Sequence, residues 1–255
     1  MPIELLTIPC LRDNYAFLLH DTESCDTVCI DVPEAGPIMA VLSAREWPLT
    51  HILLTHHHAD HIDGVAKLQA YSGAKVVGAA ADAARLPPLD MEVSDGDMFD
   101  VLGTPVRVIE VPGHTVGHIA FHMPETGHAF TGDSLMAGGC GRLFEGTPAQ
   151  MWDSLTRLCA LPPETVICSG HEYTQSNLRF AHALEPENTA LISRIAAVDE
   201  ARERGEPTIP STLADELATN PFLRANLPAL KAVVGMPDAS DAEVFAEIRA
   251  RKDNF

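Results

Sequence analysis

The run Thr55-His56-His57-His58-Ala59-Asp60-His61 constrains this chain more than any other stretch. It follows the short apolar run Ile52-Leu53-Leu54 and precedes Ile62-Asp63-Gly64-Val65, where a helical pattern begins. Four histidines and an aspartate at one strand-to-helix junction pack poorly and ligate well. Imidazole and carboxylate together suit divalent Zn, Fe or Mn. His56 and His58 stand two residues apart, so an extended backbone sends both side chains the same way. Asp60 and His61 come where the chain turns into the helix and can face a second point close to the first. His57 points away from its neighbours and reads as structural or supporting. A single ion rarely needs so many ligands, so the spacing already suggests two.

Short apolar or alternating runs recur through the first two-thirds of the chain. They lie at Ala16–His20, Thr27–Ile30, His51–Leu54, Lys75–Gly78, Val106–Val111, His118–His122, Ala129–Thr131 and Thr165–Cys168. Gly, Pro or Asp usually bounds them, the mark of strands. Helical patterns intervene at about 37–46, 62–72, 148–160 and 173–184. The expected class is α/β (α+β), with sheets covered by helices on their outer faces. Beyond about residue 174 the texture changes to Ala-, Leu-, Glu- and Arg-rich stretches at 187–204, 211–218 and 240–251, broken at Gly205-Glu206-Pro207 and Asn220-Pro221. This predicts a first domain over 1–173 and a C-terminal helical domain over 174–255.

Charge narrows the partners. The formal net charge is −19 over 255 residues, which disfavours nucleic acid and anionic membrane surfaces. Bound divalent cations would offset part of it, and an anionic substrate would need a local basic patch. Aromatics are only 5%, so the core must be mostly aliphatic. The first residues lack a basic and apolar leader pattern, no apolar stretch is long enough to span a bilayer, and the six cysteines are scattered. The expectation is a cytoplasmic chain with free thiols. Nothing in the sequence implies an obligate protein partner.

Three later motifs repeat the logic of the histidine run. They are Pro112-Gly113-His114-Thr115-Val116-Gly117-His118, Phe130-Thr131-Gly132-Asp133-Ser134 and Cys168-Ser169-Gly170-His171-Glu172. Each places a His or Asp in a Gly-containing loop just past a predicted strand, where rigid scaffolds carry chemistry. His118 reads as a hydrogen-bonding support for its neighbours. Asp31, at the end of the run Thr27–Ile30, reads either as a carboxylate that supports a ligand or as a simple strand-end turn. No Gly-x-Ser-x-Gly and no Gly-rich phosphate loop is present.

With these residues in order the sequence resembles the metallo-β-lactamase fold superfamily, whose pattern is His-x-His-x-Asp-His, then a His, an Asp and a final His. The resemblance implies an αββα sandwich with the metals at one edge. It implies that His56, His58 and His114 bind one ion, that Asp60, His61 and His171 bind a second, and that Asp133 bridges them. Two ions about 3.5–4 Å apart would hold a bridging water and lower its pKa toward neutrality, so that a hydroxide held by Asp133 and the other ligands is the nucleophile. Zn is the expected metal, with Fe or Mn as alternatives.

The fold does not choose the substrate. Further segments do: Leu11-Arg12-Asp13-Asn14-Tyr15, Gly139-Cys140-Gly141-Arg142-Leu143-Phe144-Glu145-Gly146-Thr147, the stretch 205–213, Asn220-Pro221-Phe222-Leu223-Arg224 and Arg249-Ala250-Arg251-Lys252-Asp253. They are similar to glyoxalase II, the hydroxyacylglutathione hydrolases. That resemblance implies hydrolysis of S-D-lactoylglutathione to D-lactate and glutathione, with glutathione contacts at Arg142, Tyr173, Arg249 and Lys252. Arg142 stands where many members have Lys, and Phe144 where many have Tyr. The 249–252 segment is a positive island in an acidic chain, although cations ending a helix also complement its dipole. Alternative readings on the same scaffold are a lactone, lactam or phosphodiester hydrolase, an oxidative mono-iron enzyme, or a non-catalytic thioester sensor.

Overall fold

The computed structural model describes residues 3–255. The chain forms two compact units, one running up to Glu110 and adding Gly117–Gly132, the other made of Val111–Val116 and Asp133–Phe255.

The first unit opens with strands β1 (Ile3–Cys10), β2 (Asn14–Asp21) and β3 (Thr27–Ile30), then helix α1 (Ala35–Arg45) and strand β4 (Leu49–Leu53). Helices α2 (Ala59–Ile62) and α3 (Val65–Ser72) precede strands β5 (Lys75–Ala79) and β6 (Met91–Val93). These six strands, in sequence order, make one sheet among the described residues. β1, β2 and β3 pair antiparallel, whereas β3 to β6 pair parallel. Parallel neighbours need a crossover, which α1 supplies from β3 to β4, and α2 with α3 from β4 to β5. α1 stops at Glu46 in the left-handed conformation, and α3 stops at Gly73 likewise. Ile38 and Leu42 of α1 and Val65 and Leu68 of α3 pack into an aliphatic core with Leu18, Cys29, Ile52 and Val76 from the strands. β1 was not among the expected strands. Its Pro9 cannot donate to a ladder, and the structure tolerates it because β1 is an edge strand.

A second, antiparallel layer follows: β7 (Met98–Val101), β8 (Thr104–Glu110), β9 (Ile119–Met123) and β10 (His128–Gly132). Phe17 of β2 and Phe130 of β10 meet with ring centroids 5.7 Å apart, so side chains of the two layers share one interior.

The second unit contains the hairpin β11 (Leu135–Met136) and β12 (Gly139–Cys140), helix α4 (Pro148–Cys159) and strand β13 (Val166–Ser169). Helices α5 (Thr174–Leu184) and α6 (Thr189–Glu203) come next, then strand β14 (Ser211–Thr212), α7 (Leu213–Thr219), α8 (Pro228–Val233) and α9 (Asp241–Asp253). Three of these helices start from reciprocal caps: Thr147 with Gln150, Thr212 with Asp215 and Ser240 with Glu243. Leu178, Ala181, Leu191 and Val198 pack α5 on α6. All six cysteines are free, and no helix among the described residues is long and apolar enough to cross a membrane.

Candidate metal centre

In the first unit the parallel strands aim their C-terminal ends at one place. Leu54 closes the ladder by donating its N–H to Val77, and the chain then leaves the sheet carrying Thr55 and the histidines. Asp31, just past β3, holds that departure. It sits at φ +54°, a left-handed conformation that Asp tolerates better than most residues. Its backbone N–H donates to Leu53, while its carboxylate accepts from Thr55 N, Thr55 Oγ1 and His61 Nδ1, each at 2.8 Å. Thr55 Oγ1 in turn lies 3.0 Å from Nδ1 of His56. Gly132 leaves room for this: a Cβ there would meet Thr55 Oγ1 at 2.5 Å.

His56 therefore stands in a nest of imidazoles, with ring centroids 4.8 Å from His58, 4.2 Å from His61 and 4.6 Å from His118. Donor atoms of Asp31, His56 and His61 all lie within 4.8 Å of one another. His118 stacks on His56 and engages the Ile119 carbonyl through Nδ1. His57 turns elsewhere, with its Nδ1 2.9 Å from Asp82, whose carboxylate also binds Arg85. Asp60 receives two hydrogen bonds from the Asn14 amide.

In the second unit His114, Asp133 and His171 converge. Oδ2 of Asp133 lies 3.4 Å from Nε2 of His114 and 3.3 Å from Nε2 of His171. All three side chains are buried. Nδ1 of His114 is 2.8 Å from the carbonyl of Arg142. That approach requires Gly141, where a Cβ would stand 2.0 Å from the Asp133 carbonyl and 2.9 Å from His114 Nδ1. Tyr173 stacks on His171, with centroids 4.7 Å apart and planes 8° from parallel, and Phe144 meets His114 edge-on at 5.3 Å.

The cationic residues divide. Arg142 is exposed and Lys252 half-buried. Lys252 Nζ donates to Ser176, and burial together with the nearby Arg249 and Arg142 charges brings its pKa down to about 8 against the opposing pull of Asp253. Arg249 is only 6% exposed. Its guanidinium donates to the Cys140 carbonyl at 3.0 Å and to Asp253 at 2.8 Å, and lies over the Phe222 ring. Arg249 thus grips the same loop that carries Arg142. Sequence reading had no signal for Asp82 or the loop carbonyls, and it recorded Thr55 only as the start of the histidine run. It recorded Asn14 only as part of a motif.

The donor set fits divalent metal. His61 and His114 each have Nδ1 held by an oxygen, and His56 by a hydroxyl whose own proton goes to Asp31. An imidazole held at Nδ1–H carries its lone pair on Nε2, the tautomer that ligates. The Asp31 and Asp133 carboxylates are both buried.

Comparison with known proteins adds to this geometry. Residues 26–171 match the family model described as metallo-beta-lactamase superfamily, and residues 172–255 match the model for the hydroxyacylglutathione hydrolase C-terminus. A hydroxyacylglutathione hydrolase of Cereibacter sphaeroides (strain ATCC 17025 / ATH 2.4.3) is 66% identical over the full length of both chains. One of Fuscovulum blasticum is 63% identical, again over the full length of both. Among solved structures, TTHA1623 in a di-iron-bound form is 28% identical with a TM-score of 0.61, covering 86% of this chain and 100% of that one.

Proposed function

The chain belongs to the hydroxyacylglutathione hydrolase family within the metallo-beta-lactamase superfamily, and from that premise we propose that it hydrolyses S-D-lactoylglutathione to D-lactate and glutathione at a centre of two divalent ions. In this reading His56, His58 and His114 hold one ion, Asp60, His61 and His171 hold the other, and Asp133 is shared. The observation that carries it is the Asp133 carboxylate, one oxygen of which stands at almost equal distances from His114 and His171, histidines of two different ligand sets. The di-iron state of TTHA1623 supports a pair of ions; Zn is the expected pair here, with Fe or Mn as alternatives. Bound ions would supply a water acidic enough to act as nucleophile near neutral pH and would polarise the thioester carbonyl.

The protein's own residues do the rest. Asp31 and Thr55 fix the orientation of His61 and His56, and the Arg142 carbonyl fixes that of His114. Segment 174–255 serves as the substrate-binding domain. Arg142 and Lys252 offer charge to the carboxylates of glutathione, Tyr173 offers its ring and hydroxyl, and Arg249 adds charge from the buried side while holding the loop at Cys140. Water adds to the thioester carbonyl carbon, the C–S bond breaks, and glutathione leaves as a thiolate. That leaving group is stable enough to need little help from a general acid. The setting is cytoplasmic, and no protein partner is required.

The test is metal content per chain together with hydrolysis of S-lactoylglutathione, a β-lactam and a phosphodiester. About two ions per chain and fast turnover of the thioester alone are expected. One iron with oxygen consumption on a persulfide, or faster turnover of either competing substrate, refutes the assignment.

A further inference from the structure

Asn14 begins β2 directly after a three-residue turn from β1, where it pairs in register with Cys10. Asn beside a tight turn normally serves the turn itself, its side chain bonding the local backbone. Here it does something else. The side chain is buried, and it reaches 46 residues along the chain to the histidine run. Its Nδ2 donates to the main-chain carbonyl of Asp60 at 2.9 Å and to the Asp60 carboxylate at 3.1 Å.

A primary amide has two N–H donors. Directing both at one residue, one to its backbone and one to its side chain, fixes the side-chain torsions of that residue relative to its own main chain. The contact on Oδ2 orients the carboxylate plane and so selects how the other oxygen is presented. The turn that delivers Asn14 is itself anchored, since Leu11 takes a left-handed φ of +50° and donates its N–H to Glu34 at 2.6 Å. The neighbouring ligand, His61, is clamped by a different residue, Asp31, from the end of a different strand. The two ligands that α2 contributes to the second ion are therefore positioned separately.

We infer that Asn14 is a positioning residue for Asp60 that sets how tightly the second ion is held. This rests on the two-ion reading above. Residues that orient a ligand in this manner typically change metal affinity by about 10–100-fold when removed.

The experiment uses the full-length chain stripped of metal and titrated with Zn against a chromophoric chelator, which resolves stepwise affinities without reference to turnover. Asn14→Leu keeps most of the volume and removes both donors, and Asn14→Ala removes the group altogether. Each is expected to weaken one binding step by about 10–100-fold and leave the other within about threefold. Unchanged affinities in the variants overturn the inference. So does a parallel fall of both steps that tracks a fall in melting temperature, because that is the signature of a merely structural residue. If Asn14→Ala does not fold, Asn14→Leu decides alone, and a Leu variant that folds with wild-type affinities still overturns the assignment. Should the wild-type chain bind only one ion, the two-ion reading fails separately. The role of Asn14 is then judged on that single step: weakening supports it and an unchanged step overturns it.

Discussion

Replacing Asp31 separates the work of its shape from the work of its charge. The carboxylate accepts from Thr55 N–H, from the Thr55 hydroxyl and from His61 Nδ1–H, and it is buried. Asp31→Ala leaves those three buried donors without their acceptor. At about 1–3 kcal/mol each the gross loss is about 3–9 kcal/mol, a large share of the about 5–15 kcal/mol that stabilises an ordinary domain. Alanine also tolerates the positive φ at this position poorly, which adds about 1–2 kcal/mol. Asp31→Asn is gentler on the fold and more specific in effect. Asparagine accepts the left-handed backbone, and its oxygen can still receive the Thr55 N–H. Its amide then occupies the place of Oδ2, opposite His61 Nδ1, and two donors cannot face each other. His61 relieves the clash by moving its proton to Nε2, the nitrogen proposed to ligate. The expected result is a folded Asn variant whose affinity for one ion drops by about 10–100-fold, or about 1.4–2.7 kcal/mol. Calorimetric titration of the metal-free protein measures it, with thermal unfolding in parallel. The apparent midpoint should fall much further in Asp31→Ala than in Asp31→Asn. An Asn variant that binds both ions with wild-type affinity would refute the tautomer argument.

Other expectations follow from the same geometry. Asp133→Ala should strip the ions and lower activity by more than about 100-fold, beyond what loss of a supporting residue does; metal analysis of the purified variant checks it, and full occupancy would count against a shared carboxylate. Lys252 is charged below its pKa of about 8 and neutral above it. KM for the glutathione thioester should therefore rise as pH passes through about 8, and Lys252→Arg should flatten that rise; an unchanged profile in the Arg variant would remove Lys252 from the binding set. Glu216 is buried and accepts from Arg194 at 2.5 Å, from Ser211 at 2.7 Å and from Gly138 N–H at 2.8 Å. Glu216→Leu strands the Arg194 charge and should cost about 3–5 kcal/mol, read from denaturant midpoints; a loss below about 1 kcal/mol would contradict the network.

How much of this was legible beforehand depends on whether a residue acts through its neighbours in sequence or only in space. The proposed ligands were legible because each follows a strand: Asp60 and His61 lie within the histidine run, His171 three residues past Cys168, and Asp133 two past Thr131. A strand end is a local pattern, so sequence shows it. The strands themselves emerged where hydrophobic runs were clean. β1 did not, because Pro9 argues against a strand unless one already knows that it lies on an edge. Support of the ligands is different in kind. Asp31 serves His61 across 30 residues, Asn14 serves Asp60 across 46, and Arg249 serves the Cys140 carbonyl across 109. In each case the local chemistry suggests something more ordinary: a strand-end turn, a hairpin turn, a cation closing a helix. Arg249 is the sharpest example. Its place in a positive island suggests a group reaching for a substrate anion, whereas its donors meet the Cys140 carbonyl and the Asp253 carboxylate inside the fold. Arg142, on the loop that Arg249 holds, keeps its side chain in solvent while its carbonyl steadies His114. The loop from Gly139 to Arg142 therefore serves two tasks at once. Its backbone orients His114 and its Arg142 side chain is exposed, so under the proposed function a change that shifts the loop should move metal affinity and KM together.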